Sequence, residues 1–387
     1  MRLFSRIALY AIALTMMYSC SKKVEVCGNG ETIPIDFDNY EQLSMDDIIS
    51  KIEVIELEGN NNSYLVNPKG LQYDNGNFYF RDQHSIFVFN SQGQYLYNTS
   101  SRRGRARNEY FAVNDYCVID GNICIMNNDG KIVVYDSDLN LKDLYLVPMN
   151  QVLYYTDFAV LNRDILALSA TKGDSLIWNF YSKSKNKIIT SCYLSKINQS
   201  GFRFGSVRRY INNDSIVLFH LLDNGYSYYT FNLEDLTIYE LFHYDLGNKS
   251  FIPSEVKKEK ITTYLKSHPN DYAIAQETLI NNKFILTRFG HVNSFEDPND
   301  GVYRLSFYSL TNGNKRLVNN LFNNEKLIMY LDYMDDNCII SFVNDYTYLD
   351  RLYEFHLLDD KSIKILNNVN DGTNGLLIKY YLRDDII

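Results

Sequence analysis

The 387-residue sequence is poor in residues that interrupt or cross-link a chain: six prolines, six cysteines and a single tryptophan. Six prolines beside 19 glycines exclude a collagen-like or proline-rich stalk. The HExxH, P-loop and GxSxG motifs are missing, and with them the usual signatures of zinc proteases, nucleotide hydrolases and serine hydrolases. The cysteines lack the closely spaced double pair of a zinc site and the histidines are scattered, so neither a structural metal nor a cofactor is implied. Excess positive charge is lacking too. The net charge of −9 argues against nonspecific binding to nucleic acid or anionic membrane. What is present is ordinary for a folded chain, 45% hydrophobic and 22% charged residues, which excludes intrinsic disorder and a polytopic membrane protein. The 33 tyrosines and 22 phenylalanines, against 8 methionines, favour strands over helix bundles.

The N-terminus carries an address. Arg2 and Arg6 precede an apolar run from Ile7 to Tyr18, broken only by Thr15. Twelve residues at about 1.5 Å each cannot span roughly 30 Å of hydrocarbon, so the run reads as a secretory signal rather than a membrane span. It ends in Met17-Tyr18-Ser19-Cys20, similar to a bacterial lipobox, in which a small residue precedes a cysteine that is acylated and becomes the new N-terminus. The alternative is an ordinary cleaved signal followed by an incidental cysteine. The expected organisation is a signal peptide over 1–19, a flexible tether over 20–45 containing Ser21-Lys22-Lys23 and Gly28-Asn29-Gly30, and one folded domain over 46–387. Losing residues 1–19 removes two arginines and no acid, taking the net charge from −9 to −11. Ser21 rather than Asp after Cys20 favours the outer membrane. Lys22 and Lys23, in place of an acid-rich tether, favour its periplasmic side over the cell surface. The acylated Cys20 would make the lipid bilayer the first partner.

Downstream, a strand–loop–strand pattern repeats. Asn75-Gly76 leads into Asn77–Phe80 and then Ile86–Gly93; Asp120-Gly121 leads into Asn122–Ile125 and then Ile132–Asp138, a spacing of 45 to 46 residues. Both dipeptides favour a two-residue type I′ hairpin turn, which needs positive φ at both positions. Weaker copies pair Ile165–Leu168 with Leu176–Phe180, Ile216–Phe219 with Tyr226–Phe231, and Phe284–Thr287 with Tyr303–Tyr308; a last one starts at Cys338–Phe342. Six antiparallel units whose strands are apolar on both faces predict an all-β, six-bladed β-propeller with short helical insertions. A sandwich would alternate more cleanly. Lys51–Glu58 is expected to close the ring as the outer strand of the last blade, beside Leu376–Leu382, which removes an exposed edge. Pro253–Lys266 has the pattern of a short helix. Leu349, Leu352, Tyr353 and Leu357 recur at helical spacing, against the alternative of a strand pair over Leu352–Leu357 and Ile363–Leu366.

Ile86-Phe87-Val88-Phe89-Asn90-Ser91-Gln92-Gly93-Gln94-Tyr95, followed by Arg103-Gly104-Arg105 and Glu109-Tyr110, resembles the six-bladed β-propeller lipoproteins of Bacteroidetes, a family with NHL-like blades. The resemblance runs from about Asp46 to Leu382 and includes Tyr244-Asp245-Leu246-Gly247 before Ile252-Pro253. Members typically carry a GxGxGPGEY run. This chain keeps Gly104, Glu109 and Tyr110 but has Arg105 and Ala106 where glycine is usual and Arg107-Asn108 in place of Pro-Gly. The resemblance implies a fold rather than an activity.

The candidate chemistry is sparse. Ser182-x-x-Lys185 and Ser184-x-x-Lys187 read as a solvated turn, and Asp297–Gly301 as a turn lacking the later bidentate acid of a calcium loop. In a propeller, inter-blade loops and second-to-third-strand loops share one face. There the first inter-blade loop brings Arg102, Arg103, Arg105 and Arg107, the second Tyr154 and Tyr155, and the third Arg203, Arg208 and Arg209 ahead of Tyr210. Guanidinium forks suit carboxylates or sulfates, and flat rings suit sugars or peptides. The competing reading pairs these arginines with acids such as Glu109 and Asp115 to hold blades together. Two functions stay open: a binding or scaffold module for a glycan, peptide or envelope protein, and an NHL-like lyase or hydrolase holding a metal in the central channel. The second needs acids such as Asp115, Asp157 and Asp332 aimed at one point. Counting outward from Asp120-Gly121 pairs Cys117 with Cys124, with Cα atoms ~5.5 Å apart, close enough for a disulfide.

Overall fold

The computed structural model describes residues 22–24, 26–27 and 30–386, except 128, 150–151, 153–154, 173–174, 197–209, 213–215, 221–226, 251–266, 269–270, 282, 292–301, 320–330, 336, 345, 347–348 and 371. The chain enters through β1 (Lys22–Val24), β2 (Val26–Cys27), β3 (Glu31–Pro34), the short helix α1 (Met45–Ile48) and β4 (Ile49–Glu56). It then builds blade 1 from β5 (Lys69–Asp74), β6 (Asn77–Asp82), β7 (Ser85–Asn90) and β8 (Tyr95–Asn98). Blade 2 is β9 (Asp115–Ile119), β10 (Asn122–Met126), β11 (Lys131–Tyr135) and β12 (Leu141–Leu146). Blade 3 is β13 (Tyr155–Val160), β14 (Ile165–Lys172), β15 (Ser175–Ser182) and β16 (Lys187–Lys196). Blade 4 is β17 (Tyr210–Asn212), β18 (Ile216–His220), β19 (Ser227–Asn232) and β20 (Thr237–Asp245). Blade 5 is β21 (Ala273–Ile280), β22 (Phe284–His291), β23 (Tyr303–Ser309) and β24 (Lys315–Asn319). Blade 6 combines β25 (Tyr333–Met334), β26 (Cys338–Val343) and β27 (Leu376–Leu382) with β4. The fold is a six-bladed β-propeller, each blade a four-stranded antiparallel meander.

Local chemistry sets the meanders. Asn75, Gly76, Asp120 and Gly121 have φ of 48°, 78°, 50° and 75°, the type I′ geometry that the Asn-Gly and Asp-Gly pairs favour. The resulting register opposes Ile119 to Asn122, Val118 to Ile123, and Cys117 to Cys124; these two cysteines stand side by side as thiols. Packing then closes the ring. Among the described residues, six apolar clusters each join two neighbouring sheets. Tyr79, Val88, Ile125 and Val133 lie between blades 1 and 2, and Ile55, Phe80, Ile340 and Leu377 between blades 6 and 1. Closure is by β4, antiparallel to β27 from Glu56↔Leu376 onward, so the ends of the domain are tied in one sheet.

The 20–45 tether is corrected wherever the segment is described. From Lys22 the chain runs along the rim, adding strands parallel to the outer strands of successive blades. β1 pairs with β16, β2 and β3 pair with β20, and Glu41 bridges Val318 of β24. Ile33, Ile35 and Phe37 are buried between blades 4 and 5, where each large apolar side chain contributes about 1.5–3 kcal/mol relative to exposure. That burial outweighs the freedom of a short polar-flanked segment.

The insertion between β26 and β27 is helical, and the strand-pair alternative does not form. A 3-10 helix over Leu349–Phe355 precedes α2 (Asp360–Asn368), which is capped by the Asp359 carboxylate accepting from Ser362 N at 2.8 Å. The insertion covers the outer edge of β4: Ile52 N donates to Leu357 O (2.9 Å) and Val54 N to Ser362 Oγ (2.9 Å). The helix expected over Pro253–Lys266 and the turn at Asp297–Gly301 lie outside the described residues. Residues 183–186 form the turn expected of the Ser-x-x-Lys segment, and Ser182 Oγ donates to Asp164 Oδ2 at 2.8 Å.

Candidate functional site

The loop from β8 to β9 carries the first arginine group and is locked from beneath. After the 3-10 helix Thr99–Arg102, capped by Asn98 accepting from Ser100 N, Arg103 and Tyr110 form a parallel bridge. Tyr110 is fully buried, and its hydroxyl lies 2.7 Å from Thr99 Oγ1 and donates to Thr99 O at 3.0 Å. The Glu109 carboxylate accepts from Ala106 N at 2.8 Å and lies over Gly104, where a Cβ would fall 2.0 Å from Oε2. Gly104, Glu109 and Tyr110, the residues shared with the family's Gly-rich run, therefore shape the loop rather than present a ligand. Blade 2 adds two anchors that the sequence pattern did not single out. Lys131 Nζ donates to Ala106 O and Glu109 O at 2.9 and 2.6 Å, and Tyr135 OH donates to Asn108 O at 2.8 Å.

On this frame Arg103, Arg105 and Arg107 are exposed and Arg102 is half-buried. Among the described residues, none of the four lies within ion-pair distance of a carboxylate. Neither acid named as a partner pairs with these arginines: the Glu109 carboxylate accepts from Ala106 N and that of Asp115 from Phe158 N (2.9 Å). Four cations held on one rigid loop can accept an anion without first breaking an internal pair.

The remaining candidates divide. Tyr155, expected among loop aromatics, is fully buried on β13, and its hydroxyl donates to Pro148 O at 2.8 Å. Burial pushes that phenol up to about 12. It is a core residue, because the alternation of β13 turns it into the cluster between blades 2 and 3. Tyr210 opens β17, where its backbone pairs with Leu218. Tyr154, Arg203, Arg208 and Arg209 lie outside the described residues, as does Cys20.

The acids at the channel also have structural work. Side chains near the innermost strands bond the backbone of the next blade: Gln72 to Tyr116 O and Val118 N, Asp74 to Gly121 N, Asp115 to Phe158 N, and Glu277 to Leu331 N. Asp332 accepts from Phe342 N at 2.8 Å. Buried N–H groups left without such acceptors would each cost about 1–3 kcal/mol. Burial, reinforced by the charge of Asp157, lifts the Asp115 carboxyl to about 7. Among the described residues, no three metal-ligating side chains come together.

A family model described as a domain of unknown function, DUF4934, matches residues 30–381. No curated protein matches the sequence. Among solved structures, a protein of Bacteroides fragilis predicted to be exported is similar over 91% of this chain and 98% of its own, with a TM-score of 0.66 and 13% identity. Hydrazine synthase of Kuenenia stuttgartiensis aligns over 69% of this chain and 71% of that one, with a TM-score of 0.40 and 8% identity. The extracellular domain of a predicted one-component system from B. thetaiotaomicron covers 71% of this chain and 30% of that one, with a TM-score of 0.36 and 11% identity. At these identities the first likeness bears on fold, and the other two carry no argument.

Proposed function

The chain belongs to the DUF4934 family, and on that footing we propose that it is an exported, lipid-anchored binding module that recognises an anionic group on a glycan, peptide or envelope protein through the loop over 102–107. The observation that carries this reading is the set of four arginines with no carboxylate in ion-pair range among the described residues, on a loop whose own acid is already engaged. Export is supported by the N-terminal signal pattern and by the likeness to a Bacteroides propeller predicted to be exported. Anchoring through Cys20, on the periplasmic side of the outer membrane, rests on the lipobox-like run and the basic residues after it.

Removing one charge-assisted hydrogen bond costs roughly 1.5–3 kcal/mol of binding. Arg103→Ala/Arg105→Ala should therefore weaken binding of a ligand found in a glycan and peptide screen at least tenfold, with the melting temperature nearly unchanged, since both side chains are exposed. A double variant that melts several degrees earlier and keeps its ligand would make these arginines structural and remove the proposal's support.

A further inference from the structure

The rim is covered unevenly. Blades 3, 4 and 5 have extended chain laid parallel on their outer strands, and blade 6 has the insertion over β4. The outer edge of blade 1 is met by Glu58 Oε2, which accepts from Tyr95 N at 2.9 Å, and by Asn98 Nδ2 donating to Asn62 O. Among the described residues, β12 of blade 2 has no partner on its outer edge. The bulge at Val134/Tyr135 puts Leu141, Leu144 and Leu146 opposite Tyr135, Val133 and Lys131, the face of β11 that packs toward blade 1. Leu141 is 41% and Leu146 62% exposed there. Elsewhere on the rim, the wedge between blades 4 and 5 is filled by Ile33, Ile35 and Phe37 from a strand parallel to β20, which is the outer strand of the earlier of the two blades.

Direction brings in charge. β12 runs toward the face that bears the arginine loop, because Leu146 pairs with Lys131, whose Nζ holds Ala106 O between Arg105 and Arg107. A strand parallel to β12 would end on that same face. The segment seated between blades 4 and 5 likewise runs from apolar Ile33, Ile35 and Phe37 to an acid, Asp38, and an arginine meets it there, Arg304 Nε donating to Phe37 O at 3.3 Å.

We propose that the wedge between blades 1 and 2 takes an extended segment of another protein, paired in parallel with β12, with alternating apolar residues against Leu141, Leu144 and Leu146 and carboxylates at its C-terminal end against Arg105 and Arg107. The proposal rests on the anion-binding reading of the arginine loop and gives that reading a peptide partner.

The probe is a synthetic peptide of this chain's own Glu31–Asp38 sequence, Glu-Thr-Ile-Pro-Ile-Asp-Phe-Asp, labelled at its N-terminus and titrated into the full chain by fluorescence anisotropy. Binding should weaken at least tenfold with Leu146→Gln, an uncharged change at an exposed position that leaves the fold intact, and at least tenfold with Arg105→Ala/Arg107→Ala or with a peptide carrying Asp36→Asn and Asp38→Asn. No binding at millimolar peptide overturns the proposal, as does equal binding to wild type and Leu146→Gln, which would put the peptide elsewhere. Weakening with the arginine variant but not with Leu146→Gln leaves the anion-binding loop standing and removes the wedge. Weakening with Leu146→Gln alone removes the role of the carboxylates and overturns the proposal, while the anion-binding reading of the loop is decided by its own screen. If wild type sediments as a dimer and Leu146→Gln as a monomer, the wedge is filled by a second copy and the proposal fails.

Discussion

Two glycines with the same backbone geometry and different surroundings isolate the contact that closes the ring. Gly76 (φ 78°) and Gly93 (φ 82°) both lie in blade 1 turns, in the left-handed region that costs an L-residue about 1–2 kcal/mol. A Cβ on Gly76 would meet nothing within 4 Å. On Gly93 it would fall 2.1 Å from Glu56 O and 2.9 Å from Ile55 Cγ2, both on the outer strand of blade 6. The turn would have to withdraw from β4, loosening Glu58 N→Gly93 O (2.8 Å) and Tyr95 N→Glu58 Oε2 (2.9 Å). One neutral and one charge-assisted hydrogen bond contribute roughly 2–4 kcal/mol together. Gly76→Ala should therefore cost about 1–2 kcal/mol and Gly93→Ala about 3–6. Urea unfolding of the two variants and wild type, with slopes checked for constancy, reads the difference directly. Midpoints that fall equally would mean the turn moves freely against β4, and the account of closure between blades 6 and 1 would be refuted.

Folding lifts the Asp115 carboxyl from its ordinary 3.8 to about 7, first through burial and then through Asp157. The folded state thus holds that proton more tightly than the unfolded chain, and this contribution to stability is lost as pH rises from about 4 through 7. Asp115→Asn keeps an acceptor for Phe158 N, so it should melt higher than wild type at pH 8 and alike near pH 4; a gap that does not grow with pH sinks the assignment. Ser362→Ala leaves the buried Val54 N–H without its acceptor and should lower stability by about 1–3 kcal/mol, measured by denaturant titration. Cys20→Ala should move the protein from the detergent phase to the aqueous phase of a detergent extraction; equal partitioning of wild type and variant would exclude acylation.

Blade pairing was legible in the sequence because it is local. Asn75-Gly76 and Asp120-Gly121 dictate their own turns, a two-residue turn dictates the register of its hairpin, and from that the Cys117–Cys124 juxtaposition could be counted. The ring number and the closing strand followed from repetition and from the need to cover an edge. Other features are products of the ring itself. Which face of β13 meets the neighbouring blade decided that Tyr155 is core, and the approach of β9 to β13 gave Asp115 a backbone partner in place of an arginine. The rim strand was illegible for the same reason. Ile33, Ile35 and Phe37 alternate over too few residues to mark a strand. Their seat exists only once blades 4 and 5 stand side by side, with β3 paired to residues about two hundred positions away. Short-range turn chemistry is written in neighbouring residues, whereas a parallel edge pairing, and an edge at β12 left unpaired among the described residues, depend on how six sheets splay around an axis.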